Sequence, residues 1–489
     1  MFVSRTLRSA RPTVRGLASI HPATATHNTP PPPPAAMPVA DANLTQLLTE
    51  QRKHVTPALS RLHDHIIVKG QGSKVWDETG AEFIDFNAGI GVTNLGHSHP
   101  AVTAAVIHQA QQVSHVQCSI GFSLPYLQLV EALRPMMPHE SLDTFFFWNS
   151  GSEAIEMALK LVKRATNRNN VIAMVGSYHG RTHGASGITR SKPIYTQHTG
   201  PTMNGVYATP FPYWHSLGVD PSTPEDELVR LAIYQLELLI KTQTAPTDVA
   251  ALFIEPVIGE GGYVPAPAAW LNYLREFCDK HGILLVLDEV QSGFGRTGKL
   301  FAAEHVPGFK PDVLVFAKGL ANGYPLSGVA SRKELMEKQE VGSIGGTYAG
   351  NAVACAAAVA VAEVFKTQPI LENVNARSKE LFDALYAIRD SPKTGHLVAD
   401  IRGQGLMVAV EFRTEADPLT TKGLAAGTAI PKDIGKRIQK KCHDNGLLLL
   451  TTSCFDTIRF IPPLVITKDE MAQALKIFNA AVEEVAREG

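Results

Sequence analysis

A lysine closes the apolar run "DVLVFAKGL" and is followed by glycine, so Lys318 should be partly desolvated. Desolvation lowers the pKa of an amine and frees its lone pair to attack a carbonyl carbon. Taken alone, such a lysine can equally snorkel to the surface. A second group shifts the balance, because "ILLVLDEV" delivers Asp288 at the end of another apolar run. In an open α/β sheet the residues beyond the carboxyl ends of the strands meet in one cleft. An amine and a carboxylate sharing a cleft suit pyridoxal phosphate: the lysine holds the aldehyde as a Schiff base and the acid keeps the ring nitrogen protonated.

That cofactor also needs a phosphate site. "NSGSEAIEMALK" places Gly151 and the hydroxyl of Ser152 where a helix begins, and the N–H groups and dipole of a helix N-terminus attract an anion. The plainer reading of Ser150 to Glu153 is a helix cap with an acid in its first turn. Other strand ends carry Tyr178-His179-Gly180-Arg181 after "NVIAMVGS", and Glu255 with Gly259-Glu260-Gly261 after "VAALFI".

Two competing chemistries are disfavoured. His179 and His183 have the histidine spacing of the zinc motif H-E-x-x-H, but Gly180 replaces its glutamate and glycines interrupt any helix there, so no metal site is expected. Gly293, Gly295 and Gly298 fit G-x-G-x-x-G, the mark of NAD-dependent dehydrogenases. Yet "KLFAAEHVPGFKP" offers no long helix starting at the third glycine.

The elements that must position these residues alternate along the chain. From about residue 100, "TFFFWNS", "NVIAMVGS", "VAALFIEPV", "ILLVLDEV" and "DVLVFAKGL" are separated by amphipathic stretches such as "SEAIEMALKLVKRAT" and "AAWLNYLREFCDKHG". Continuous apolar strands between helices predict an α/β fold with a mainly parallel sheet covered on both faces. Beyond residue 350 the Ala-rich "NAVACAAAVAVAEVFK", short strands and a last helix predict a smaller α+β domain. The expected divisions are 1–40, 41–95 packing with the smaller domain, 96–350 as the large domain, and 351–489.

Residues 1–40 contain Arg5, Arg8, Arg11 and Arg15, no acid, and the run "TPPPPPAAMP". This is the composition of a mitochondrial presequence followed by a stiff spacer, and it predicts the matrix, with the cytoplasm as the alternative. Without those arginines 41 basic residues face 46 acidic ones, which gives no general attraction for nucleic acid. No apolar run approaches the ~18 residues of a membrane span, so neither nucleic acid nor membrane is an expected partner. Five scattered cysteines without C-x-x-C spacing suggest neither a disulfide framework nor a zinc site.

The motifs together resemble the class III, fold type I, pyridoxal-phosphate-dependent aminotransferases from about Trp76 to the C-terminus. "LDEVQSGFGRTG" followed by "FAKGL" is the most specific part, and "NSGSEA", "YHGRT", "EPVIGEGG" and "GGTYAGN" stand in family order. The resemblance implies a seven-stranded sheet in the large domain. It also implies that Lys318 is the Schiff-base lysine and proton carrier, and that Asp288 partners the pyridine nitrogen. Val290 and Tyr178 would cover the two ring faces, Gln291 would meet the ring hydroxyl, and Gly151 and Ser152 would hold the phosphate. Thr347 would complete the phosphate site of a partner subunit, implying a homodimer. Within the family the details are most similar to the 4-aminobutyrate aminotransferases without an iron–sulfur cluster. There Ile90, Arg181, Glu260 and Arg459 would shape the substrate site, and 2-oxoglutarate would accept the amine by a ping-pong mechanism. Ornithine, β-alanine or 5-aminovalerate as donor, or racemisation of an amino acid, would use the same cofactor set. The aromatic stretch "YATPFPYWHSL" is expected to border the site.

Overall fold

The computed structural model describes residues 44–425, 428–452 and 454–488. The expected presequence and proline spacer, 1–40, lie outside them. The chain forms two compact units, divided after Ser60. In the first, the described residues form the helix Leu44–Gln51 and one 3-10 turn, Arg52–His54.

The second unit, Arg61–Gly489, opens with strands β1 (Ile67–Gln71), β2 (Lys74–Asp77) and β3 (Glu82–Asp85). Next come β4 (Thr144–Trp148), β5 (Asn170–Met174), β6 (Val206–Thr209), β7 (Val249–Ile254), β8 (Val257–Ile258) and β9 (Val264–Pro265). The central strands finish with β10 (Leu284–Asp288), β11 (Val313–Phe316) and β12 (Ser327–Ser331). The last are β13 (Val398–Gln404), β14 (Met407–Phe412), β15 (Leu447–Leu448), β16 (Leu450–Thr451) and β17 (Thr457–Phe460).

Seven of these strands make one sheet in the order β4-β12-β11-β10-β7-β5-β6, parallel throughout except for β12. Its central strands bury every residue, as in β7 and β10, because helices cover both faces; this is the α/β arrangement expected of the apolar runs. The helix Gly151–Thr166 lies against β11 and β12 on one face. Ser150 caps it: Ser150 Oγ accepts from Glu153 N at 3.3 Å while Glu153 Oε2 accepts from Ser150 N at 2.9 Å, a reciprocal capping box.

A four-stranded sheet, β13-β14-β17-β16, is built from the last third of the chain, and a second, β1-β2-β3-β15, joins the early strands to Leu447 and Leu448. The helix Ala352–Thr367 packs against the helices Pro100–Gln112 and Leu124–Leu133, across the expected boundary at 350. Its alanines, five of them buried, let the helices approach closely. No single described helix is long and apolar enough to cross a membrane.

Candidate active site

The ends of β4, β5, β7, β10 and β11 surround a cavity of about 300 Å³. Eight residues anticipated from the sequence line it: Gly151, Ser152, Tyr178, Glu260, Asp288, Val290, Gln291 and Lys318. Because the strands run parallel, their carboxyl ends lie on one side, and residues more than 150 positions apart in the chain become neighbours.

Lys318 follows β11 with φ of 43°, the left-handed region, which a side chain rarely occupies without being held there. Leu320 N donates to Ala317 O at 2.9 Å, closing the turn, and Gly319 has no room for a Cβ beside Asn94. Burial pushes the Lys318 amine down; Glu260 opposes this, Arg459 adds to it, and the result is about 8.

Asp288 is buried and doubly held. Its Oδ1 accepts from Val290 N at 3.0 Å, and its Oδ2 lies 2.7 Å from His179 Nδ1. Burial disfavours a proton on His179, but the hydrogen bond to Asp288 and that residue's charge outweigh it and raise the imidazole pKa. His179 therefore orients the carboxylate, a role its place at the end of β5 allows but that no spacing in the sequence assigns to it. His183, by contrast, is exposed at the start of the helix His183–Ile188. The neighbouring acids also separate by role. Glu255 accepts from Tyr178 N at 2.7 Å and Gly259 N at 2.9 Å, and burial pushes it up to about 7. Glu289 turns away from the cavity to accept from Ala302 N and Ala303 N.

Glu260 sits at the tip of the β8–β9 hairpin, where its Oε1 accepts from Arg459 at 2.6 Å. The tip is fixed from behind, because Arg402 Nε donates to Gly262 O at 2.8 Å and pairs with Glu411, which also accepts from Tyr213 Oη at 2.7 Å. That is where "YATPFPYWHSL" goes: Tyr213 and Trp214 are buried behind the hairpin and do not line the cavity. The segment supports the site from outside rather than bordering it.

Four anticipated residues stand off the cavity wall. Arg459 is not part of the lining but pairs with Glu260, which is. Arg181 is exposed, its backbone N donating to Ser152 Oγ at 3.3 Å and its guanidinium lying 4.7 Å from the Tyr195 ring. Ile90 is 40% exposed in a left-handed turn, Ala88 to Gly91, just before Val92, which does line the cavity. Thr347 is exposed. The "GFGRTG" loop does not have the geometry of a dinucleotide fingerprint. Gly295 and Gly298 both have φ of 86°, only a short 3-10 turn, Ala302–His305, follows, and Arg296 is fully buried against Asn94 Oδ1 and Leu406 O.

The lining fits a phosphorylated pyridine aldehyde. Gln291 Oε1 and His179 Nε2 are buried without partners. A Cβ on Gly180 would stand 2.2 Å from Ser152 Oγ, so glycine keeps that hydroxyl in place beside the helix N-terminus. With a primary amine, a carboxylate and an aromatic ring on the same wall, this fold and site define a pyridoxal-phosphate-dependent transferase of fold type I.

The chain belongs to the class III aminotransferases, whose family model, Aminotransferase class-III, matches residues 57–482. It is 37% identical over 448 residues to the 4-aminobutyrate aminotransferase GabT of Escherichia coli, covering 90% of this chain and 99% of that one. It is 36% identical to the 5-aminovalerate aminotransferase DavT of Pseudomonas aeruginosa, covering 90% and 98%. Among solved structures, a thermostable (S)-enantioselective omega-transaminase from Thermomicrobium roseum superposes with a TM-score of 0.80 at 29% identity, over 91% of this chain and 99% of that one.

Proposed function

We propose that the enzyme moves the terminal amino group of an ω-amino acid, 4-aminobutyrate foremost, to 2-oxoglutarate. The observation that carries this reading is the 2.6 Å pair of Glu260 with Arg459 beside Lys318. A substrate with an α-carboxylate, glutamate or 2-oxoglutarate, can take Arg459 by a bidentate contact. 4-Aminobutyrate has no carboxylate there, and Glu260 then keeps the guanidinium neutralised. Arg181 would fork onto the distal carboxylate that all three molecules share, with Ile90 beside the substrate chain. One cleft thereby serves both half-reactions of a ping-pong cycle.

Pyridoxal phosphate, when bound, supplies an electron sink for the pair released when a C–H bond beside the amine breaks. Gly151, Ser152 and the first turn of their helix would hold its phosphate, Asp288 its ring nitrogen, Gln291 its hydroxyl, and Val290 and Tyr178 its faces. Lys318, an amine depressed to about 8, is the base that takes the proton from the amine-bearing carbon. Where that proton returns separates transamination from racemisation.

The deciding experiment is a panel of amine donors with 2-oxoglutarate, scoring glutamate formation. 4-Aminobutyrate and 5-aminovalerate are expected to react best, with ornithine and β-alanine slower. Racemisation of an α-amino acid without glutamate formation, or failure of every ω-amine, overturns the reading. We further propose that the active form is a homodimer in which Thr347 reaches the partner's phosphate, and that residues 1–40 direct it to the mitochondrial matrix. A fluorescent protein carrying residues 1–40 should enter mitochondria, and a cytoplasmic distribution refutes the targeting.

A further inference from the structure

We propose that His65, Asp77 and Glu78, with His63 and His443 beside them, form a binding site for a first-row divalent cation of the zinc class. The site lies on the β1-β2-β3-β15 sheet, and none of its residues lines the catalytic cavity. Asp77 ends β2 and is 1% exposed. Its Oδ1 is fully engaged, accepting from Thr79 N, Thr79 Oγ1 and Ala81 N at 2.9, 2.7 and 2.9 Å. Those three bonds fix the direction of the other oxygen.

Oδ2 lies 2.9 Å from His65 Nδ1 yet accepts no properly directed hydrogen bond. Two donor atoms this close without an N–H along the line between them are placed as ligands of one cation are, since metal–ligand bonds of ~2.0–2.2 Å in a tetrahedron put ligands about 3.3 Å apart. Glu78 completes a third corner: its Oε2 accepts from Ile66 N at 2.7 Å, and ligand atoms of the three residues all lie within 4.8 Å of one another. Drawing in the half-exposed His65 ring closes that span to a bonded shell.

Two more imidazoles stand against the same group. The rings of His63 and His443 lie 5.1 Å from that of His65 and 5.1 Å from each other. His63 Nδ1 and His443 Nε2 are buried without a hydrogen-bond partner. Buried polar atoms are seldom left without a hydrogen bond, and these two nitrogens stand beside a group in which Asp77 Oδ2 lacks one as well. A cation held by His65, Asp77 and Glu78 would give Asp77 Oδ2 a partner, and imidazole with carboxylate is the ligand mixture that suits zinc. Bound there, it would tie the segment before β1 to the end of β2, beside His443 at the end of the helix Ile434–Asp444.

The test uses full-length, tag-free holoenzyme treated with a chelator and then titrated with Zn2+ or Co2+. One equivalent per chain is expected, with visible ligand-field bands for Co2+ and a higher melting temperature with Zn2+. His65→Ala and Glu78→Gln should each weaken binding by at least about tenfold and remove the thermal shift, while leaving transamination unchanged. Asp77→Asn, which keeps Oδ1 for the turn, should do the same without unfolding the strand end. No stoichiometric binding, or binding unaltered in His65→Ala and Glu78→Gln, overturns the proposal.

Discussion

Lys318 combines a strained backbone with a depressed amine, and both follow from what surrounds it. A left-handed φ costs about 1–3 kcal/mol, offset by a turn closed at Ala317 and a glycine, Gly319, wedged against Asn94. Burial sets the direction of its pKa, so its amine should lose its proton near pH 8 rather than at the ordinary 10.5. Competitive acetylation of the cofactor-free protein, read by mass spectrometry, should show Lys318 reactivity rising through about pH 8. Glu260→Gln removes a charge that favours the proton, so it should move that midpoint lower; an upward movement would contradict the assignment. Lys318 and Asp288 were legible because each ends an apolar run. His179 was not, since its bond to Asp288 spans 109 positions and depends on β5 and β10 flanking β7. Losing a hydrogen bond to a charged group costs about 1.5–3 kcal/mol. His179→Asn is therefore expected to lower kcat by about 10- to 100-fold with KM for the donor little changed, as steady-state kinetics would show.

At the scale of elements, the alternation of apolar strands with helices was readable because strands buried on both faces carry no polar alternation. The reversal of β12 was not, because "SGVAS" is short and its direction depends on the loop that returns the chain from Lys318. The glycines of "GFGRTG" were the least legible, since the same spacing can cradle a pyrophosphate or pack a loop. Their surroundings decide for packing: a Cβ on Gly295 would meet Phe365 at 2.8 Å and Leu464 at 2.9 Å, with φ of 86°. Gly308 has a similar φ, 75°, and nothing within 4 Å. Gly308→Ala should therefore cost only the backbone strain, about 1 kcal/mol. Gly295→Ala adds an overpacking cost of about 1–3 kcal/mol, so its melting temperature should fall clearly further. Equal melting temperatures for the two variants would mean the loop yields freely and does not clamp β10 to the helix carrying Phe365.

For the whole molecule, the surface carries a statement the cavity does not. Ile120, Phe122 and Leu124 are 84%, 69% and 68% exposed, and Val341 and Tyr348 are exposed too. Ile120, Phe122 and Leu124 fall within five residues of the chain, an apolar stretch open enough for a second copy to dock on. Thr347 stands next to Tyr348 and away from its own chain's cavity, which is why no reading of its spacing could give it a role and only the family resemblance did. If a second copy covers this surface, Phe122→Asp should shift the protein from dimer to monomer in sedimentation velocity and release cofactor. If, as proposed, Thr347 reaches the partner's phosphate, Thr347→Ala should leave the oligomeric state unchanged and raise the cofactor Kd by about 10- to 100-fold, the loss of a contact to a charged group worth about 1.5–3 kcal/mol. The two variants separate assembly from completion of the site. A wild-type chain that sediments as a monomer yet retains its cofactor would remove Thr347 from the phosphate site and leave the apolar surface to another partner.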